Sequence, residues 1–197
     1  VPEEPAASRL LRDLALILER FGDRWYLFGA QAVVIWGRPR MTADVDVTAF
    51  LDPDEIEAFV VAMEQSSFSL RVPDPQDFVR KTRVLPFLHA ATGLPLDVVL
   101  GGPGPEEEFA NAARRIEIGG TKIPVIAPED LVVTKILAGR PKDLDDVEGI
   151  LTAQRDILDL ERIRSLLHAL ETALSQSDLS PTFEARLTAV MRTPRSR

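Results

Sequence analysis

The sequence predicts an α+β (mixed α/β) fold, a mixed sheet flanked by helices and followed by a C-terminal helical region. Three observations carry this. Up to Ile126, short runs rich in β-branched and aromatic residues alternate with segments of helical period. From Pro128 onward no strand-like run remains. A chain of 197 residues with 45% hydrophobic content can bury one substantial core, or a core plus a helical appendage. The expected division is a core over residues 1–127 and a helical region over 128–197, packed on the core or continuous with it.

In order, Ser8 to Arg20 repeats leucine and isoleucine at helical spacing, and Trp25-Tyr26-Leu27-Phe28 is a compact apolar strand. Ala30 to Trp36 reads as a helix, which places Gly29 at a strand-to-helix turn. A strand follows over Val45–Phe50. Pro53 to Ser66 opens with proline and acids before Ile56, Phe59, Val60 and Met63, a helix with punctuated start and apolar face. Further strands are expected at Phe68–Val72, Val84–His89 and Leu96–Leu100. Arg115–Ile118 and Lys122–Ile126 should pair across a Gly119-Gly120 turn. Helices are then expected around Pro128–Ala138, Leu144–Arg155, Asp159–Leu174 and Pro181–Met191, with Ser175 to Asp178 linking the last two. Gly101-Gly102-Pro103-Gly104 lacks the Gly-Lys-Ser/Thr ending of a phosphate-binding P-loop and reads as a turn or flap.

The chemistry concentrates in Ala43-Asp44-Val45-Asp46-Val47, where two aspartates alternate with valines. Alternation places both carboxylates on one strand face. Like charges side by side repel, and an ionised Asp among apolar neighbours needs a cation or donors. Carboxylate oxygens suit Mg²⁺, which is commonly held by one or two protein carboxylates, waters and substrate phosphates. The alternative is a strand end with Asp44 in a turn and Asp46 in solvent. A third acid, Asp97, interrupts the apolar run Leu94 to Leu100. If that strand lies beside Val45 to Val47, Asp97 joins the pair and can accept the proton of an attacking hydroxyl; otherwise it pairs with an arginine. Gly29 at a helix start would let a phosphate approach free backbone N–H groups. Arg38 and Arg40 precede the acidic strand, and guanidinium pairs bidentately with phosphate.

At these residues the chain resembles the polymerase-beta-like nucleotidyltransferase superfamily, and most resembles its AbiEii-type group of toxins from toxin–antitoxin and phage-defence systems. The matching pieces are the Gly29 turn, Gly37-x-Pro39-Arg40-x-Thr42-x-Asp44-x-Asp46, Leu96-Asp97-Val98-Val99, and the stretch from Ile126 to Leu151. The resemblance implies a nucleotidyltransferase-like sheet. In it Asp44 and Asp46 bind Mg²⁺ or Mn²⁺, Asp97 completes the metal and catalytic set, and a nucleoside monophosphate is transferred with loss of pyrophosphate. It also implies that Gly29, Ala30, Arg38, Arg40, Thr42 and Lys135 contact the nucleotide, ATP among the candidates. Asp143 and Asp146 resemble the family's Lys-Asp-x-x-Asp element, in which an acid orients the lysine. Read from the residues alone, Lys135 has two destinations, an anion or an acid of the next segment. The superfamily usually has Gly-Gly or Gly-Ser where this chain has Gly29-Ala30; alanine lacks the hydroxyl but leaves the backbone donors.

The acceptor implied by the toxin relatives is RNA, a tRNA end above all, or a protein side chain, with an antitoxin protein as partner. A small-molecule, antibiotic-type acceptor is the enzymatic alternative. A non-catalytic binding module of the same fold is the other. The excess of 31 acidic over 23 basic residues, a net charge of −8, excludes a generally basic nucleic-acid surface. Any RNA contact must then be local, with Arg38, Arg40, Arg80, Lys81, Arg83 and the basic tail from Arg192 to Arg197 as candidates. The chain has no cysteine, so thiol catalysis and disulfides are excluded, and a cytoplasmic location is expected. No apolar stretch approaches the roughly 20 residues that span a bilayer, so no membrane partner is expected. Two histidines, His89 and His168, stand far apart and suggest neither a zinc site nor a Ser-His-Asp arrangement.

Overall fold

A computed structural model describes residues 4–39, 41–42 and 44–192. Two compact units emerge, Val1–Gln31 with Met41–Ile126, and Ala32–Arg40 with Ala127–Arg197.

The first unit holds a seven-stranded mixed sheet in the order β3-β4-β5-β2-β1-β7-β6. Its strands are β1 (Trp25–Phe28), β2 (Val45–Ala49), β3 (Phe68–Leu70), β4 (Val84–His89), β5 (Leu94–Leu100), β6 (Arg114–Ile118) and β7 (Thr121–Val125). Hairpins join β4 to β5 and β6 to β7 antiparallel, whereas β2 runs parallel to β5 and β1 parallel to β7. That is the mixed sheet expected from the interleaved pattern.

Alternation decides which face is core. Val45, Val47 and Ala49 of β2, Leu96 and Val98 of β5, and Leu85 and Phe87 of β4 are fully buried. Against that face lie α1 (Ala6–Leu18), continued by a short 3₁₀ turn over Glu19–Phe21, and α3 (Ile56–Gln65). Phe59 of α3 meets Phe21 and Phe87 edge to face, with ring centroids 5.4 and 6.2 Å apart. Asp46 and Asp97 occupy the intervening positions, on the reverse face.

Two short helices of this unit, α4 (Pro75–Thr82) and α5 (Pro105–Ala112), have no counterpart among the sequence-based elements. Each starts with proline at its first position and carries acids in its first turn. Asp74 caps α4 by accepting from the Asp77 N–H at 2.9 Å. At eight residues each, these segments are too short for periodicity to reveal.

The second unit is helical. It contains α6 (Pro128–Ala138), α7 (Pro141–Ala153), α8 (Leu160–Leu174) and α9 (Leu179–Arg192). It also takes Ala32–Trp36, the later part of α2 (Gly29–Trp36). Leu131, Val132, Val147, Ile150, Ile163, Leu167 and Phe183 form its core. Arg162 pairs with buried Asp130 at 2.8 Å, and Arg164 with Glu184 at 2.7 Å, tying α6, α8 and α9 together. Among the described residues no helix is long and apolar enough to cross a membrane.

Candidate active site

β1 ends at Phe28 and α2 begins at Gly29, whose φ of +64° is a left-handed conformation that glycine adopts at no steric cost. The turn is also tight against β2. A Cβ on Gly29 would lie 2.2 Å from Asp46 Oδ2 and 2.9 Å from its Cγ. The Asp46 carboxylate therefore fills the space that any other residue at position 29 would need.

β5 lies beside β2, and in this parallel ladder Asp46 is the register partner of Asp97. Adjacent strands are about 4.8 Å apart, so the two carboxylates stand side by side on the reverse face. Asp46 is half-buried. Asp97 retains 36% side-chain exposure. Its Oδ1 accepts a hydrogen bond from Arg71 Nη2, so the carboxylate is met by a guanidinium. Arg71 escaped sequence reasoning because its place opposite Asp97 depends on strand register, which the sequence alone does not display.

Asp44 precedes β2 instead of sharing its face. It is exposed, and Thr42 Oγ1 donates to its Oδ1 at 3.0 Å and to its carbonyl at 3.2 Å. Ala30 lies in the first turn of α2. Arg38, in the second unit, is exposed, with its side-chain stem 3.4 Å from the space above Gly149. Arg40 lies outside the described residues, as does the tail beyond Arg192.

Three further members of the suggested basic group are compensated locally. Arg80 and Lys81 both pair with Asp77, at 3.1 and 2.7 Å. Arg83 pairs with Glu106 at 2.9 Å and donates to the Leu100 carbonyl.

In the helical unit, Lys135 is 9% exposed, with its Nζ 2.8 Å from Asp143 Oδ1 and 3.0 Å from Asp146 Oδ2. Arg140 also donates to Asp143. Burial alone would push the Asp143 carboxyl up; hydrogen bonds from Arg140 and Lys135 outweigh it and hold it below the usual carboxylate range. Lys135, Asp143 and Asp146 form a buried ionic cluster with exposed Arg140 at its edge, and the glycine C-cap Gly139 turns α6 into α7 so that the acids face the lysine.

Hard carboxylate oxygens suit Mg²⁺ or Mn²⁺, and two side-by-side carboxylates match a cation shared with substrate phosphates. Gly29 leaves the Asp46 carboxylate a cradle that a Cβ would fill. The residues fit the group in type and pairing. Among the described residues no three His, Cys, Asp or Glu side chains converge as a preassembled metal centre. An open cavity of about 510 Å³ lies at the opposite ends of β2 and β5, lined by Arg24, Phe50, Glu55 and Gly101. Its lining includes Asp52 but not Asp44, Asp46 or Asp97.

The strand-glycine-helix turn thus closes on one of two aspartates paired across neighbouring strands. A family model described as a nucleotidyltransferase of unknown function (DUF6036) matches residues 9–188, and the chain belongs to that family. Among solved structures, the solution structure of the antibiotic-resistance factor ANT(2'')-Ia is similar, with a TM-score of 0.59 at 11% identity over 88% of this chain and 95% of that one. An antigenic nucleotidyltransferase-like protein from Paracoccidioides brasiliensis gives a TM-score of 0.55 at 18% identity, covering 94% of this chain and 96% of the other. ANT(2'')-Ia in complex with adenylyl-2''-tobramycin gives 0.58 at 12% identity, covering 86% and 99%. Identities this low establish a shared fold. No curated protein matches the chain. The family assignment supports the nucleotidyltransferase superfamily named from sequence at its broad level, without reaching the AbiEii-type subgroup.

Proposed function

We propose that this nucleotidyltransferase moves a nucleoside monophosphate from a nucleoside triphosphate to an acceptor hydroxyl, with Asp44, Asp46 and Asp97 as its acidic centre. The observation that carries this reading is the in-register pairing of Asp46 with Asp97 beside a turn where only glycine fits. Mg²⁺ or Mn²⁺ held by these carboxylates would supply neutralisation of the triphosphate charge.

The protein's own groups have separate tasks. Gly29 and the first N–H groups of α2 offer backbone donors to phosphate, and Ala30 withholds none of them. Thr42 holds Asp44 by the hydrogen bond to Oδ1. Asp97, still partly exposed, takes the proton of the attacking hydroxyl as the new P–O bond forms at the α-phosphorus. The bond to the β-phosphate oxygen breaks, and pyrophosphate leaves. Arg38 and Arg40 are assigned to phosphate from their place in the motif alone. Lys135, directed at Asp143 and Asp146, is assigned to bracing the helical unit.

The resemblance of the 37–46 and 126–151 stretches to AbiEii-type toxins supports an RNA end or a protein hydroxyl as acceptor, with an antitoxin partner in the cytoplasm. A small-molecule acceptor of antibiotic type is favoured by charge. A net −8 repels a polyanion, and Arg80, Lys81 and Arg83 are each engaged by an acid.

The test supplies each of four α-labelled nucleoside triphosphates with Mg²⁺ or Mn²⁺ to total RNA, total protein and a panel of aminoglycosides and lincosamides. Label should enter one acceptor class with the native chain and fall to background with Asp46→Asn and Asp97→Asn. Labelling that survives both substitutions, or none with any nucleotide and acceptor, refutes the proposal.

A further inference from the structure

Arg71 follows directly on β3, and its backbone N–H donates to the Pro86 carbonyl at 2.9 Å. The β3–β4 register pairs Leu70 with Phe87, so Arg71 falls opposite Pro86. Pro86 is in turn the register partner of Asp97, and Asp97 of Asp46. Arg71, Pro86, Asp97 and Asp46 thus form one row across the sheet, with their side chains on one face.

Pro86 shapes this row in two ways. It has no N–H with which to continue the ladder to β3, so β3 stops there and Arg71 is left outside regular pairing. Its carbonyl points to β3, which makes Pro86 and Asp97 a pair without mutual backbone hydrogen bonds, the closer kind of cross-strand neighbour. The short ring between the two charged residues leaves an arginine, two strands from Asp97, a clear path to the carboxylate.

One carboxylate is therefore claimed by two cations. We propose that Arg71 is a resident counter-cation of Asp97 that competes with the divalent metal, so that metal binding releases the guanidinium on the face where the triphosphate charge arrives. This rests on the reading of Asp97 as a metal ligand. The pair is suited to exchange: Arg71 is 38% and Asp97 36% exposed, and ion pairs that keep this much water are weak. The pair also has a purpose before metal arrives. Asp46 and Asp97 are like charges directly abreast, an arrangement that opposes strand pairing, and the guanidinium neutralises one of them.

The test is binding of Mn²⁺ alone, followed by the electron paramagnetic resonance signal of the free ion, with no nucleotide present. Arg71→Gln should bind Mn²⁺ about two- to fivefold more tightly than the native chain, the range an exposed ion pair sets. Arg71→Lys, which keeps a charge but loses the planar fork, should fall between them and serves if the glutamine variant folds poorly. Arg80→Gln, which removes an exposed charge paired elsewhere, should leave binding unchanged. Asp97→Asn should weaken binding by at least about tenfold and abolish the difference made by Arg71→Gln. Equal or weaker binding by both Arg71 variants, with Asp97→Asn still impaired, overturns the competition alone. Binding indifferent to Asp97→Asn overturns the ligand reading beneath it as well.

Discussion

Gly29→Ala separates the two demands that the strand-to-helix turn makes on one residue. The first is conformational. At φ +64° a Cβ costs about 1–2 kcal/mol, offset by about 0.4–1 kcal/mol from the lower entropy of the unfolded chain. The net loss is about 1 kcal/mol, which for a chain of this size lowers Tm by about 2–4 °C. The second demand is steric. The new methyl would lie 2.2 Å from Asp46 Oδ2, so the carboxylate must retreat by roughly 1 Å to reach ordinary contact. A side-chain terminus can rotate away at little cost to folding, but a displacement of this size in a reacting group can cost about 10²-fold in rate. Gly93→Ala is the matched control. Gly93 has φ +68° in the β4–β5 hairpin and nothing within 4 Å of its hypothetical Cβ. Both variants should melt a few degrees below the native chain, and only Gly29→Ala should lose nucleotidyl transfer and Mn²⁺ affinity. Thermal denaturation and label transfer on all three proteins decide it. Full transfer by Gly29→Ala would refute the placement of Asp46 in the reaction.

Asp143→Ala, which removes the 2.8 Å partner of buried Lys135 but leaves its 3.0 Å pair with Asp146, should destabilise by about 1–3 kcal/mol in urea denaturation. Because the folded-state carboxyl of Asp143 lies below its unfolded value of 3.8, its stabilisation is complete above that value and disappears as pH falls through the folded one; Asp143→Asn should lack this acid-side loss. For His89, burial lowers the pKa from 6.5 and the neighbouring Asp13 only partly restores it. The unfolded chain then binds the extra proton first, so stability should decline as pH falls from about 6.5 toward the lower folded-state value and level off beneath it. His89→Asn should flatten that segment of the stability curve measured by urea titration. Asp97→Asn should melt within about 2 °C of the native chain, since it loses the Arg71 pair while relieving repulsion from Asp46, each effect being under about 1 kcal/mol.

The mixed sheet was legible because its strands announce themselves twice, by β-branched runs and by alternation around Val45 to Val47 and Leu94 to Val98. Helices with a long apolar period were legible for the same reason, Asp159 to Leu174 above all. What remained hidden depends on register or on the meeting of distant segments. Alternation suggested that Asp44 and Asp46 share a strand face, but β2 begins at Val45 and leaves Asp44 in the preceding loop beside Thr42. The neighbour that Asp46 does meet in register, Asp97, lies fifty-one positions on and is brought beside it by the parallel pairing of β2 with β5. His89 shows the same limit. It is fully buried, with Nδ1 2.9 Å from Thr92 Oγ1 and Nε2 3.2 Å from Asp13 Oδ2, and its ring stacks at 4.6 Å on Phe68. Thr92 is near in sequence. Asp13 is on α1, and no local pattern links it to a strand end.

A sheet selected for stability alone would not set two carboxylates abreast on neighbouring strands. Three features of the chain instead preserve that arrangement. Gly29 gives up helix propensity at the start of α2 to make room for one carboxylate. Pro86 gives up a ladder hydrogen bond in an interior strand, and Arg71, freed from regular pairing by that proline, supplies the charge that the second carboxylate lacks. Each is a local departure from the best strand or helix sequence, and all three converge on Asp46 and Asp97. Departures from local consistency that share one destination are expected where a site, rather than a core, is being built. On that argument Pro86 belongs with the acidic pair although it carries no chemistry. Its ring spaces Arg71 from Asp97, so the ion pair forms across an intervening strand and can open without breaking the sheet.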